Sequence, residues 1–216
     1  MTPESWPTRP DVYLIGITGN IATGKSTVDA MLAAKGAQVL DADRVVHELQ
    51  RQGQPAWRAI VDHFGRGILA ADGELDRAKL GQLVFGNADA LRELELLIHP
   101  AVRDEERRRI LEAMPGAVLA IDAIKLFESG MADSCNSVWA VTAPVEQQLD
   151  RLRGQRSMPA EVALQRIRAQ PSQEEKAALA GVVIDNGGSL EHTQRQVDDA
   201  WKKTAAEWLE QRQATA

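Results

Sequence analysis

The sequence predicts an α/β protein with a three-layer α/β/α arrangement around a five-stranded, mostly parallel sheet, interrupted by a helical insertion and a lid. Three observations predict it. Five short apolar runs, each ended by turn residues, alternate with helical patterns. A glycine-bearing turn, GITGNIATGKST, joins the first of these runs to a helix. Two stretches, 44–114 and 147–176, break the alternation and read as helical throughout or nearly so.

The elements follow in order. VYLIGI (Val12 to Ile17) is apolar and rich in β-branched residues, as a buried strand requires. From Lys25 to Ala34 apolar or small residues recur at helical spacing, and Gly36 is the expected stop. AQVLDAD then gives a second strand ending in two aspartates, so the opening is a βαβ unit with that strand placed beside the glycine turn. Arg44 to Met114 is mostly helical, with FGRGILAADGELD as a turn-rich break. AVLAIDAI, SVWAVTA and GVVID supply three further strands, bounded by Pro115-Gly116, Pro144 and Asn186-Gly187-Gly188. Gln147 to Lys176 is polar and arginine-bearing, with helical periodicity from Ala160 to Gln170. Ser189 to Glu210 is an amphipathic helix. The three prolines of MTPESWPTRP suggest a loose leader, and QRQATA an ending that frays. The expected division is a core of 11–43, 115–146 and 177–212, a helical domain of 44–114 and a lid of 147–176.

Composition narrows the class. Of 216 residues, 44% are apolar and 26% charged, which suits a folded globular chain rather than a disordered one. The net charge of −6 gives no general attraction to nucleic acid, so any anion site must be built locally. One cysteine, Cys135, cannot form an internal disulfide and reads as packing. No apolar run is long enough to span a membrane, and the first ten residues lack a secretion signal. The expected location is the cytoplasm, with no obligate protein partner.

Gly19, Gly24, Lys25 and Ser26 satisfy G-x-x-x-x-G-K-[ST]. Glycines allow backbone angles that aim consecutive N–H groups at phosphate oxygens, and the following helix adds its positive end. In that geometry Lys25 reaches the β and γ phosphates and the Ser26 hydroxyl helps hold Mg²⁺. Asn20, Ile21, Ala22, Thr23 and Thr27 complete the ATP cradle. The fold is therefore of the P-loop NTPase type.

The phosphoryl acceptor is harder to read. A guanine-reading Asn-Lys-x-Asp is absent, which argues against a switch GTPase. Asp41 and Asp43 end the second strand; residues two apart on a strand share a face, so one carboxylate could take a proton from an attacking hydroxyl. The other reading is that Asp43 caps the helix opening at Arg44. DRLRGQRSMP places Arg151, Arg153 and Arg156 together, either as cations closing over the phosphates or as a solvated helix end. His47, His63 and His192 lack metal-ligand spacing.

Taken together these segments resemble dephospho-CoA kinase, a P-loop kinase, from about Val12 to Trp201. The resemblance rests on GITGNIATGKST, DADRVVHEL, GELDRAKLGQLVF, LELLIHPAV, RIRAQ and VVIDNGG in that order. It implies phosphorylation of the ribose 3′-hydroxyl of dephospho-CoA by ATP, with Asp43 as base, Lys25 on ATP, Arg151 or Arg156 over the phosphates and Asn186 near adenine. It also implies that Asp43, His47, Arg77 and His99 serve the acceptor side, within 44–114. Blander readings stand beside these: His99, before Pro100, as a capped and packed residue at a helix start, Arg77 as a helix-start ion pair, and Asn186 as a turn residue. The sequence departs from the family at Asn20, Ala22 and Thr23 and at Lys125, an extra cation at the cleft or a snorkelling surface lysine. Two rival functions remain: a P-loop kinase acting on a nucleoside or nucleoside monophosphate, and an ATP-binding regulatory module without catalysis.

Overall fold

The computed structural model describes residues 6–84, 86–156 and 158–215; at 155, 156, 214 and 215 it describes the backbone alone. The chain forms β1 (Tyr13–Thr18), α1 (Lys25–Ala34), β2 (Gln38–Asp41), α2 (Ala42–Leu49), α3 (Pro55–Phe64), α4 (Arg77–Val84) and α5 (Ala88–Glu112). It continues with β3 (Val118–Asp122), β4 (Ser137–Thr142), α6 (Val145–Arg156), α7 (Ala160–Arg168), α8 (Gln173–Leu179), β5 (Val182–Asp185) and α9 (Leu190–Thr215). Two compact units result: Met1–Leu40 with Ala113–Ala216, and Asp41–Glu112.

The first unit holds one five-stranded parallel sheet in the order β2-β3-β1-β4-β5. β1 lies at its centre and is buried along its whole length, as its unbroken apolar run demands. Ile17 pairs in register with Asp122 of β3 and with Trp139 of β4. The expectation that β2 adjoins β1 is corrected: β3 lies between them. The second strand in sequence is an edge strand, because the strand that follows the insertion takes the inner place.

Alternation along β1 dresses both faces of the sheet. Tyr13, Ile15 and Ile17 pack with Val28 and Leu32 of α1 and with Val197 and Trp208 of α9. On the other face a Cβ at Gly16 would stand 2.6 Å from Leu126 Cδ2, so glycine is what lets the segment after β3 lie down there. Each fully buried Ile or Leu contributes about 1.5–3 kcal/mol, which makes this double-sided core the main support of the unit.

Residues 1–5 of the expected loose leader and Ala216 of the expected fraying end lie outside the described residues. Trp6 is buried and donates its indole N–H to the Ser129 carbonyl at 3.1 Å. The final helix runs on to Thr215, with the Arg212 guanidinium over the Trp208 ring. Tyr13 further ties α9 down, donating its hydroxyl to Glu207 Oε2 at 2.6 Å and meeting Trp208 edge-on.

The second unit is helical, with a core of Ile60, Ile68, Leu80 and Ile98. Its turn-rich break forms a single 3₁₀ turn, Arg66–Ile68, and one antiparallel bridge, Leu69 to Leu75. Asp76 opens α4 by accepting from the Ala78 and Lys79 amides. α5 carries Pro100 in its interior, so His99 is not at a helix start, and both residues are exposed rather than packed. Leucine-rich turns before the proline and a run of strong helix formers after it keep the helix going, at the cost of the bond Pro100 cannot donate to Leu96.

Candidate active site

The phosphate loop spans the turn from β1 to α1. Gly19 has φ 153°, and a Cβ there would stand 2.4 Å from the Val141 carbonyl. Gly24 has φ 95°, and its Cβ would stand 2.0 Å from Asn186 Nδ2. Neither position admits a side chain without rearrangement. Ala22 also lies in the left-handed region, at φ 60°. Gly24 caps α1 without any side-chain bond, and the first turn of the helix holds no acid. The N–H groups at the start of α1 are thus left for an anion, with the positive end of the helix behind them.

The rest of the loop is held from outside. Thr23 Oγ1 donates to the Asn20 carbonyl at 2.9 Å. Arg151 donates through Nη1 to the carbonyls of Ala22 (3.0 Å) and Thr23 (2.9 Å), and through Nη2 to that of Asn186 (2.8 Å). Asn186 donates Nδ2 to the Thr23 carbonyl and accepts from Thr193 Oγ1. On the other limb the Ile21 amide donates to Gln170 Oε1 at 2.7 Å and Asn20 Nδ2 to the Pro171 carbonyl at 2.8 Å.

Lys25 crosses the mouth of the loop. Its Nζ donates to the Gly19 carbonyl at 3.3 Å and stands 3.8 Å from Asp122 Oδ1, with both side chains mostly buried. Ser26, one residue on, is exposed at the first turn. A hydroxyl and a carboxylate are the hard oxygen donors Mg²⁺ prefers, and Mg²⁺ characteristically keeps its other positions for water and phosphate oxygens. Ser26 and Asp122 therefore fit that ion.

The residues expected to serve the acceptor side lie in the helical unit. Asp41, not Asp43, caps α2, accepting from the Arg44 amide at 3.1 Å. The strand stops two residues earlier than the sequence suggests, so Asp43 lies in the first helical turn, exposed, and shares no strand face with Asp41. His47 follows one turn later. Burial and then the charge of Arg77 push its imidazole below the usual range, while Asp43 and Asp41 pull it back. Asp43, His47 and Arg77 thus form one electrostatic neighbourhood. His99 is exposed on α5.

A model of the dephospho-CoA kinase family matches residues 13–192. The chain belongs to this family. A dephospho-CoA kinase of Carboxydothermus hydrogenoformans is 44% identical over 186 residues, 85% of this chain and 90% of that one. One from Symbiobacterium thermophilum is 46% identical, over 88% of this chain and 80% of its own. A solved Thermus thermophilus protein is 31% identical with a TM-score of 0.73, covering 88% of this chain and 97% of that one. The dephospho-CoA kinase of Campylobacter jejuni shares the fold at 23% identity and a TM-score of 0.61, over 89% and 97%. Like other dephospho-CoA kinases by these measures, the chain is a kinase.

Against that family frame, the arginines of α6 separate. Arg151 turns onto the phosphate loop, Arg153 is exposed, and the side chain of Arg156 lies outside the described residues. Lys125 is exposed. Cys135 donates to the Met131 carbonyl, and burial pushes its thiol up to about 12, so it is no nucleophile. Among the described residues no three His, Cys, Asp or Glu side chains form a metal-binding group, and no helix is long and apolar enough to cross a membrane. Sequence reasoning missed Asp122, although an apolar run ended by a carboxylate, VLAID, was its signal. Gln170 ends the segment RIRAQ, which the resemblance covers without giving this glutamine a role.

Proposed function

We propose that the chain transfers the γ-phosphoryl group of ATP to the 3′-hydroxyl of the ribose of dephospho-CoA, giving CoA and ADP. One observation carries the reading most: a loop whose glycines cannot be replaced leads into a helix with an uncapped, acid-free start, and Lys25 spans its mouth. That arrangement suits a polyphosphate and little else. The family supplies the acceptor.

In this reading the amides at the start of α1 and Lys25 hold the β and γ phosphates, exchanging the lysine's contact with the Gly19 carbonyl for phosphate oxygen. Asn20 to Thr27 form the cradle, and Asn186 serves it from behind through the Thr23 carbonyl. Ser26 and Asp122 would hold Mg²⁺, which when bound neutralises charge on the phosphate oxygens. Asp43 takes the proton of the attacking hydroxyl. Its exposure and freedom from the capping task, which Asp41 performs, suit a base. His47, Arg77 and His99, on the helical segment 44–114, would bind dephospho-CoA, whose phosphates call for the cation of Arg77. The segment 147–176 acts as a lid, with Arg156 or Arg151 over the phosphates; Arg151 must release the Ala22 and Thr23 carbonyls to do so.

The test is ADP release measured by coupled assay over a panel of acceptors. Stimulation by dephospho-CoA and not by nucleosides or nucleoside monophosphates is expected. ADP release that dephospho-CoA leaves unchanged would reject the reading. Asp43→Asn should lower kcat about 10²–10⁴-fold while ATP binding, followed by calorimetry, stays within about threefold; unchanged turnover would remove Asp43 from the mechanism.

A further inference from the structure

We propose that Lys176 is a second phosphate-binding residue, an ammonium that meets the polyphosphate of the nucleotide alongside Lys25. The inference rests on the reading of the glycine loop as an ATP site. Lys176 opens no surface ion pair: on α8 it is only 4% exposed. Its Nζ donates to the Ile124 carbonyl at 2.6 Å, and among the described residues that is its one acceptor. An ammonium has three N–H donors, so two are left without a protein oxygen, in a setting where an unpaired charge is costly.

Its place explains the deficit. Ile124 stands two residues after Asp122, the carboxylate beside Lys25, and its carbonyl also accepts from Thr18 Oγ1 at 3.2 Å. Thr18 precedes Gly19, whose carbonyl binds Lys25. The two ammonium groups are therefore tied to neighbouring residues at the ends of the same two strands, β1 and β3. If holding Ile124 were the only task, the Thr18 hydroxyl would already perform it. Burial and the charge of Lys25 both disfavour the charged form of Lys176, with Glu128 opposing. Asp122 beside Lys25 and the charge of Glu128 offset part of this positive charge, and an arriving polyphosphate would supply acceptors for the two remaining N–H donors of Lys176.

The segment leading into α8 fixes the lysine where that anion would sit. Gln170 and Pro171 bind the phosphate loop, and Gln173 Oε1 accepts from the Ala143 amide after β4 at 3.0 Å. One short polar stretch is in this way laced to the ends of β1, β4 and, through Lys176, β3. The ligand class follows from the chemistry: a linear polyphosphate anion, free or on a nucleotide.

The experiment is calorimetric titration of sodium tripolyphosphate, ATP and adenosine into the wild-type protein, Lys176→Met and Lys176→Arg. Lys176→Met should weaken tripolyphosphate and ATP by about tenfold, as loss of a charge-assisted bond does, and leave adenosine unchanged. Lys176→Arg should retain binding within about threefold. Wild-type protein that binds neither ATP nor tripolyphosphate would overturn the ATP reading itself. Wild-type binding with Lys176→Met within twofold of it, or an equal loss for adenosine, would overturn the role of Lys176 alone. Should Lys176→Met not fold, the ¹⁵N resonance of Lys176 Nζ in wild-type protein, assigned through Lys176→Arg, decides: it should shift on adding tripolyphosphate, and a resonance that stays put overturns the proposal.

Discussion

Gly24 concentrates the demands of the site in one position. It must cap a helix in a left-handed conformation and leave room for the Asn186 carboxamide, 2.0 Å from where a Cβ would sit. That carboxamide cannot step aside freely, because it bonds both the Thr23 carbonyl and the Thr193 hydroxyl. Gly24→Ala should therefore destabilise the protein by about 1–3 kcal/mol and raise the KM for ATP at least about tenfold, readable by thermal unfolding and steady-state kinetics. The phosphate loop was legible in the sequence for the same reason: glycines that no other residue can replace leave a fixed spacing. Asp122 was not, because a carboxylate ending an apolar run is also an ordinary strand stop. Only the order of the sheet sets it beside Lys25. Asp43 was legible in type and not in setting, since a helix may start at either of two aspartates two residues apart and the backbone amide of Arg44 chose the first.

Among the elements, the strands were read closely because the inner ones are covered on both faces and carry unbroken apolar runs. Helix boundaries were less secure. Proline 100 reads as a start signal, yet α5 passes through it from Ala88 to Glu112. Contacts of Ile98 and Val102 with the core of the helical unit hold both halves in line. A proline in such a place forfeits one backbone bond and costs about 3 kcal/mol in a free helix. Pro100→Ala should raise the melting temperature, while any acceptor role of His99 shows as a change in the KM for dephospho-CoA. A lowered melting temperature would mean that the proline ring is needed for packing.

At the scale of the molecule, acid and base act on stability in opposite senses. Glu106 is buried in α5, and desolvation raises its carboxyl to about 7 against the partial opposition of Arg103 and Arg109. Its folded value lies above its unfolded value of 4.5. The neutral form thus favours the fold below pH 4.5, and that contribution is lost as pH rises to 7, by up to about 3 kcal/mol. Glu105, held down to about 2 by Arg108 and then Arg109, works the other way and is lost as pH falls below 4.5. Glu106→Gln should unfold at a higher temperature than wild type at pH 8 and differ little at pH 4.5; equal melting curves at both pH values would count against a buried neutral acid.

The central position of β1 has a consequence for how the chain comes together. Both of its sheet neighbours, β3 and β4, are encoded after the helical segment that ends at Glu112. On the ribosome the nucleotide grip is thus written first and framed last. Its strand must wait, unpartnered, while some seventy intervening residues, able to satisfy their contacts locally, emerge. Nascent chains stalled before Asn186 has left the exit tunnel should not retain an immobilised ATP analogue, whereas those stalled well beyond α9 should.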